Sequence, residues 1–89
     1  MSNRRLKIYT TTSCGDCKMA KAVLDRAGVD YEEIDIDRDP DAVATVLAIN
    51  GGYNTVPTIL LPDGRVLVEP SRHSLLVALG LEASARPQA

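Results

Sequence analysis

Tryptophan and phenylalanine are both absent from this 89-residue sequence, and three tyrosines make up its aromatic complement. The core must therefore be aliphatic, and stacked aromatic platforms for single-stranded nucleic acid are excluded. Excess charge of either sign is missing too: 10 Lys and Arg stand against 12 Asp and Glu, for a net charge of −2. That balance gives no electrostatic footprint for nucleic acid or for an anionic membrane. The basic cluster of Arg4, Arg5 and Lys7 reads as a solvated chain end. No apolar run approaches the roughly 20 residues of a membrane span. The first residues lack the apolar stretch of a secretory leader, so a soluble, cytoplasmic protein is expected.

Metal ligands are equally scarce. With 2 Cys and 1 His, one chain does not complete the tetrahedral ligand set of a structural zinc site, and His73 reads as a surface residue. Asp35, Asp37 and Asp39 have the spacing that opens a calcium loop. However, Pro40 stands where that loop needs glycine and Val46 where it needs a bidentate glutamate.

What is present describes one ordinary domain. Apolar residues make up 45% of the chain, and a chain of this size buries somewhat more than ~60% of its unfolded surface, enough for a single core. The domain is expected over residues 1–83, with 84–89 (Ser-Ala-Arg-Pro-Gln-Ala) as a flexible tail. Leu6 to Thr10 alternates apolar and polar residues and predicts a first strand. Thr11, Thr12 and Ser13 break that pattern with hydroxyls suited to a helix entry. Ala20, Val23, Leu24 and Ala27 then follow helical spacing from about Asp16, and Gly28 stands where a glycine would close the helix. Tyr31 to Asp37 predicts a second strand whose outward Glu33, Asp35 and Asp37 suit a protected edge.

Asp39-Pro40 is a helix start, with a capping side chain followed by proline at the first helical position. Gly51-Gly52 stops that helix. Thr58 to Leu61 and Arg65 to Glu69 predict a hairpin about the Pro62–Arg65 turn. Ser71 can cap a last helix carrying Leu75, Leu76 and Leu79. The order is βαβαββα, an α/β chain whose first two strands are parallel through a right-handed crossover. A four-stranded mixed sheet flanked by helices follows.

Cys14-Gly15-Asp16-Cys17 falls on the strand-to-helix turn. A cysteine pair so spaced in a reducing compartment reads as redox chemistry rather than a permanent staple. The thiolate is the nucleophile, and a helix N-terminus stabilises it with free N–H groups and the positive end of the macrodipole. Cys14 is placed to receive that stabilisation and should attack. Cys17, one turn further in, should be more buried and should resolve. The spacing lets the sulfurs close a disulfide without moving the helix. Asp16 lies between the thiols, where its negative charge should make Cys14 less acidic than a neutral residue would.

Thr55-Val56-Pro57-Thr58 leads into a strand, where proline belongs at the start or beside a functional site. With C-x-x-C after the first strand, this resembles the thioredoxin fold. Within it the chain is similar to the glutaredoxins, above all the mycoredoxins of actinobacteria. Ile8-Tyr9-Thr10-Thr11, Cys14-Gly15-x-Cys17, Asn50-Gly51-Gly52, Thr55-Val56-Pro57-Thr58, Asp63-Gly64 and Pro70-Ser71 carry the likeness, over nearly all of Leu6 to Leu81.

The resemblance implies a cis-proline facing the cysteines and a residue before it, here Val56, that offers its backbone to a bound thiol. Substrate contacts would come from Thr11, Thr12, Gly15 and Asp16 on one loop and Thr55, Val56 and Pro57 on another, with Ser71 heading the last helix. The activity implied is reduction of mixed disulfides between proteins and a low-molecular-weight thiol. Cys14 would take mycothiol, and Cys17 or a second mycothiol would release it. Glutathione-type members usually carry lysine where Thr11 stands and Gly-Gly-x-x-Asp where Glu69-Pro70-Ser71-Arg72 stands, which ranks mycothiol ahead of glutathione. The polar Ser13 and Asp16 depart from the aromatics usual around the mycoredoxin motif.

A monomer with no bound cofactor is expected, acting on mixed-disulfide protein clients, with a flavoprotein reductase as a candidate recycling partner. Two other functions share these features. One is a redoxin reduced by thioredoxin reductase that feeds ribonucleotide reductase, although its usual C-terminal tryptophan is absent here. The other is a carrier of a 2Fe–2S cluster held across a dimer. Cys17 argues against it, since many such carriers have a single-cysteine motif.

Overall fold

The computed structural model describes residues 5–80. Arg4, the expected domain end at 83 and the tail expected over 84–89 lie outside the described residues. Three helices and four strands follow in the expected order: β1 Leu6–Thr10, α1 Gly15–Arg26, β2 Tyr31–Asp35, α2 Pro40–Ile49, β3 Thr58–Leu60, β4 Val66–Val68 and α3 Arg72–Ala78. The sheet order is β2-β1-β3-β4. β1 and β2 are parallel, while β1–β3 and β3–β4 are antiparallel.

Local sequence explains most of the boundaries. Asp39 caps α2 by accepting from the Asp41 amide at 3.2 Å, with Pro40 at the first position. Past the end of α1 the chain reverses through Gly28 (φ 71°), with the Val29 amide on the Leu24 carbonyl at 3.0 Å, a left-handed step that glycine takes without strain.

Three strands are shorter than their apolar patterns. β2 ends at Asp35 instead of Asp37, because the Asp35 carboxylate accepts from the Asp37 amide (2.9 Å) and its carbonyl from the Arg38 and Asp39 amides. That turn competes with further pairing. β3 stops at Leu60, and the Leu61 amide instead meets the Arg65 carbonyl at 2.9 Å across the turn. β4 loses both expected ends: Arg65 folds back on Asp63, and Glu69 is left-handed (φ 48°).

The sheet separates two aliphatic layers. Leu6, Ile8 and Ile59 meet Ala20, Val23 and Leu24 of α1 and Leu75 of α3 on one face. Tyr9 and Ile36 meet Ala42 and Val46 of α2 on the other. Burial raises the pKa of the Tyr9 hydroxyl, with Glu32 adding to it. Tyr31, on the edge strand, is pushed up to about 12 by burial and by donating to Asp25 at 2.9 Å. None of the helices among the described residues is long and apolar enough to cross a membrane.

Candidate active site

Four chain segments reach the same end of the sheet. β1 and β2 run toward it, β3 runs away from it, and β4 returns to it. The loops after β1, after β2, before β3 and after β4 therefore share one edge. Because Tyr9 pairs with Thr58, the residue after Tyr9 and the residue before Thr58 lie on neighbouring strands. The first leads to the cysteine loop and the second is Pro57.

Cys14 is the N-cap of α1 (φ −101°, ψ 111°), and Gly15, Asp16 and Cys17 are its first three helical residues. The Cys17 amide, one of the donors a helix start leaves without an internal partner, donates to Cys14 Sγ at 3.0 Å. The two cysteines form a disulfide with their Cα atoms 5.2 Å apart. Cys17 is 1% exposed, while Cys14 is only half-buried. One sulfur thus faces incoming reagents and the other is shielded. A Cβ placed on Gly15 meets nothing within 4 Å, so the space over the turn is open. Asp16 is exposed and Thr11 half-buried.

Thr12 is fastened to the acidic turn after β2, its amide on Asp37 and its hydroxyl on Asp35, each at 3.2 Å. Behind it stands a group that the sequence reading did not single out. Thr10, 1% exposed, donates to Glu33 Oε2 at 2.9 Å, and Lys21 Nζ reaches the same oxygen at 2.8 Å. The Lys21 hydrogen bond chiefly holds the Glu33 carboxyl below its ordinary range, burial opposing and Thr10 assisting. The available signal was a threonine at the third inward position of β1, after Leu6 and Ile8.

The opposite loop carries the cis Val56–Pro57 bond that the resemblance implies. Pro57 is buried, and its carbonyl accepts from the Glu69 amide at 2.9 Å. Thr58, fully buried, donates to the Thr55 carbonyl at 2.6 Å and accepts from Asn50 Nδ2 at 2.9 Å. Asn50 and Thr58 also lay outside the expected site set. No hydrogen bond to the Val56 main chain occurs among the described residues, leaving its N–H and C=O to be met from outside. Ser71 is the N-cap of α3: its hydroxyl accepts from the Ser74 amide and donates to Ser74 Oγ, both at 3.0 Å.

A depression of about 450 Å³ lies at the other end of the sheet among Arg5, Lys7 and the 60–64 turn. It holds no thiol, and the chemistry belongs to the open edge. Among the described residues no His, Cys, Asp and Glu cluster could hold a metal ion.

The sequence profile of the glutaredoxin family matches residues 6–67. A Mycobacterium tuberculosis protein provisionally named a glutaredoxin is 41% identical over 71 residues, which cover 80% of this chain and 84% of the relative. Mycoredoxin 1 of Corynebacterium glutamicum is 37% identical over 70 residues, covering 79% and 84%. The crystal structure of a glutaredoxin from Archaeoglobus fulgidus superposes with a TM-score of 0.75 at 25% identity, over 85% of this chain and 86% of that one.

Proposed function

The chain belongs to the glutaredoxin family, a thiol–disulfide oxidoreductase with a C-x-x-C disulfide, and from that premise we propose that it reduces mixed disulfides between proteins and mycothiol. The observation that carries the division of labour is the contrast between a half-buried Cys14, receiving the Cys17 amide, and a Cys17 that is 1% exposed. When the pair is reduced, the same amide and the helix dipole favour the Cys14 thiolate. That thiolate attacks the mycothiol sulfur of the mixed disulfide. The client leaves as a thiolate and takes a proton, and Cys14 is left joined to mycothiol.

Two routes complete the turnover. A second mycothiol thiolate attacks the mycothiol sulfur, forming oxidised mycothiol and freeing Cys14. Alternatively, the Cys17 thiolate attacks Cys14 Sγ, expels mycothiol and closes the Cys14–Cys17 disulfide, which a two-electron reductant reopens. Val56 offers its main-chain N–H and C=O to the bound thiol, beside the cis-proline. Thr11, Thr12, Gly15, Asp16, Thr55 and Ser71 complete the proposed contact set. Mycothiol is preferred because Thr11 and Glu69-Pro70-Ser71-Arg72 supply neither the lysine nor the Gly-Gly-x-x-Asp run usual in glutathione-type members. The relatives that carry mycoredoxin in their name add to that preference.

The test is turnover of one peptide loaded with mycothiol and the same peptide loaded with glutathione. Wild type is expected to release mycothiol faster. Cys14→Ser should abolish release, at least about a thousandfold, as loss of a covalent nucleophile does. Cys17→Ser is expected to retain release when free mycothiol is supplied. If neither substrate turns over while thioredoxin reductase reduces the Cys14–Cys17 disulfide, the mycothiol reading is wrong and the protein is a protein-disulfide redoxin.

A further inference from the structure

On the face of α1 turned away from β2, two adjoining grooves run between α1 and α3. Val23, Arg26 and Arg72 line both of them, joined by Met19 in one and Leu76 in the other. Their floor is aliphatic and thioether, while two exposed guanidinium groups stand over it. Neither Arg26 nor Arg72 has an ion pair or side-chain hydrogen bond among the described residues, although Arg5, Arg38 and Arg65 each have one. Lys18, exposed and without an ion pair among the described residues, adds a further positive charge on α1. The nearest acidic residues along the chain are Asp25, whose carboxylate accepts from the Tyr31 hydroxyl on the β2 side of α1, and Glu69, and neither makes an ion pair with these arginines among the described residues.

Carboxylates gather elsewhere. Glu32, Glu33, Asp35, Asp37, Asp39 and Asp41 all belong to β2, the turn that follows it and the start of α2. A chain of net charge −2 thus keeps a locally cationic, apolar-floored groove on one side of its redox edge and a block of carboxylates on the other. Both walls of the groove belong to elements that start near the redox edge, with Arg26 at the far end of α1 from Cys14. α1 begins at Cys14, and Arg72 follows Ser71 in the segment whose Glu69 amide is bonded to Pro57.

We propose that the Arg26–Arg72 groove docks an acidic segment of a protein client, one that sets an aliphatic side chain on Val23 and Leu76 and carboxylates against the two arginines. The inference rests on the proposed reduction of protein mixed disulfides and adds how the client is chosen. An Arg fork suits carboxylates because it is planar and remains charged. The aliphatic floor adds contact area, and the carboxylates of β2 and α2 repel the same segment if it arrives the wrong way round.

The experiment separates docking from chemistry. Binding of a short cysteine-free fluorescent peptide, in which glutamates flank leucines, is followed by anisotropy with the oxidised protein. Its glutamine counterpart is run beside it. Wild type should bind the glutamate peptide and lose it as salt rises. The Arg26→Glu/Arg72→Glu double variant should bind it about tenfold more weakly or worse, as loss of complementary charges predicts. Arg26→Glu alone should also weaken the peptide, and it should reduce a small mixed disulfide lacking the peptide at the wild-type rate within about twofold, since Arg26 ends α1 at the far end from Cys14. Equal binding by the variant, or equal binding of the glutamine peptide, overturns the docking surface. If wild type fails to reduce any mixed disulfide yet binds the peptide as described, the functional reading has failed and the docking surface stands.

Discussion

The loop that carries Cys14 is fastened from outside, by charge and by a helix start: Thr12 bonds to Asp35 and Asp37 in an exposed turn, and the Cys17 amide holds the Cys14 sulfur. The loop that carries Pro57 is fastened from inside, by neutral groups gathered on the buried Pro57 and Thr58: Asn50 to Thr58, Thr58 to Thr55, and the Glu69 amide to Pro57. The first arrangement leaves a sulfur accessible and lets local charge tune it. The second keeps a backbone edge fixed while Val56 remains without main-chain partners among the described residues. A thiol–disulfide site can combine an adjustable sulfur with a rigid ledge. The two loops should therefore respond differently to the same chemical change.

Removing a hydroxyl from each loop gives the largest expected contrast. Thr58→Val keeps the side-chain shape but leaves the buried Asn50 amide and Thr55 carbonyl without partners. Stranding buried polar groups in this way costs about 2 kcal/mol of stability. Asn50 sharpens the expectation, because its Oδ1 is already buried without a partner among the described residues. Thr12→Val severs a 3.2 Å contact in solvent and should cost less than about 0.5 kcal/mol. Urea unfolding of the two oxidised variants measures both. Equal losses would erase the distinction between the loops.

What a local pattern could reveal follows the same divide. C-x-x-C after a β-rich run, Asp39-Pro40, Gly28 and Ser71 each act within a few residues of themselves, so their caps and turns were legible before any fold was known. The order of strands and helices followed from them. Asn50 and Thr58 become a pair only because α2 returns the chain to the mouth of β3. Lys21 meets a carboxylate on the sheet edge, over a strand position where a threonine replaces an aliphatic residue, a pairing that no local pattern in α1 signals. The short strands failed for a different reason: Asp35 and Asp63 supply side-chain acceptors that compete with the ladder, and strand alternation does not register that competition.

Acid tests the charged side of the comparison next. The depressed Glu33 pKa means that the folded protein binds this proton less readily than the unfolded chain. The associated stability is therefore fully present above the unfolded carboxyl pKa, near pH 4.5. It is lost as pH falls through the lower folded value. Lys21→Met removes the main cause of the depression. The side chains are 29% and 37% exposed, so solvent screening limits the pair to less than about 1 kcal/mol. Melting curves at pH 7 and at pH 3 should show Lys21→Met losing less on acidification than wild type, while Thr58→Val loses as much as wild type. A Lys21→Met profile parallel to that of wild type would remove Glu33 from the account.

The smallest effect concerns the thiol itself. Asp16 is exposed at the second position of α1, where its carboxylate interacts favourably with the helix dipole but opposes negative charge on the neighbouring sulfur. Asp16→Asn should therefore make reduced Cys14 more acidic and increase its alkylation rate by iodoacetamide at neutral pH. Water and salt screen an exposed pair of charges, so the gain should be at most about threefold and should fade as ionic strength rises. The Thr58→Val variant serves as the counterpart, for it leaves the charges around the cysteine loop untouched and should not alter the thiol titration. If Thr58→Val shifts that titration as far as Asp16→Asn does, the ledge and the nucleophile are coupled through structure. Local charge would then not be what tunes Cys14.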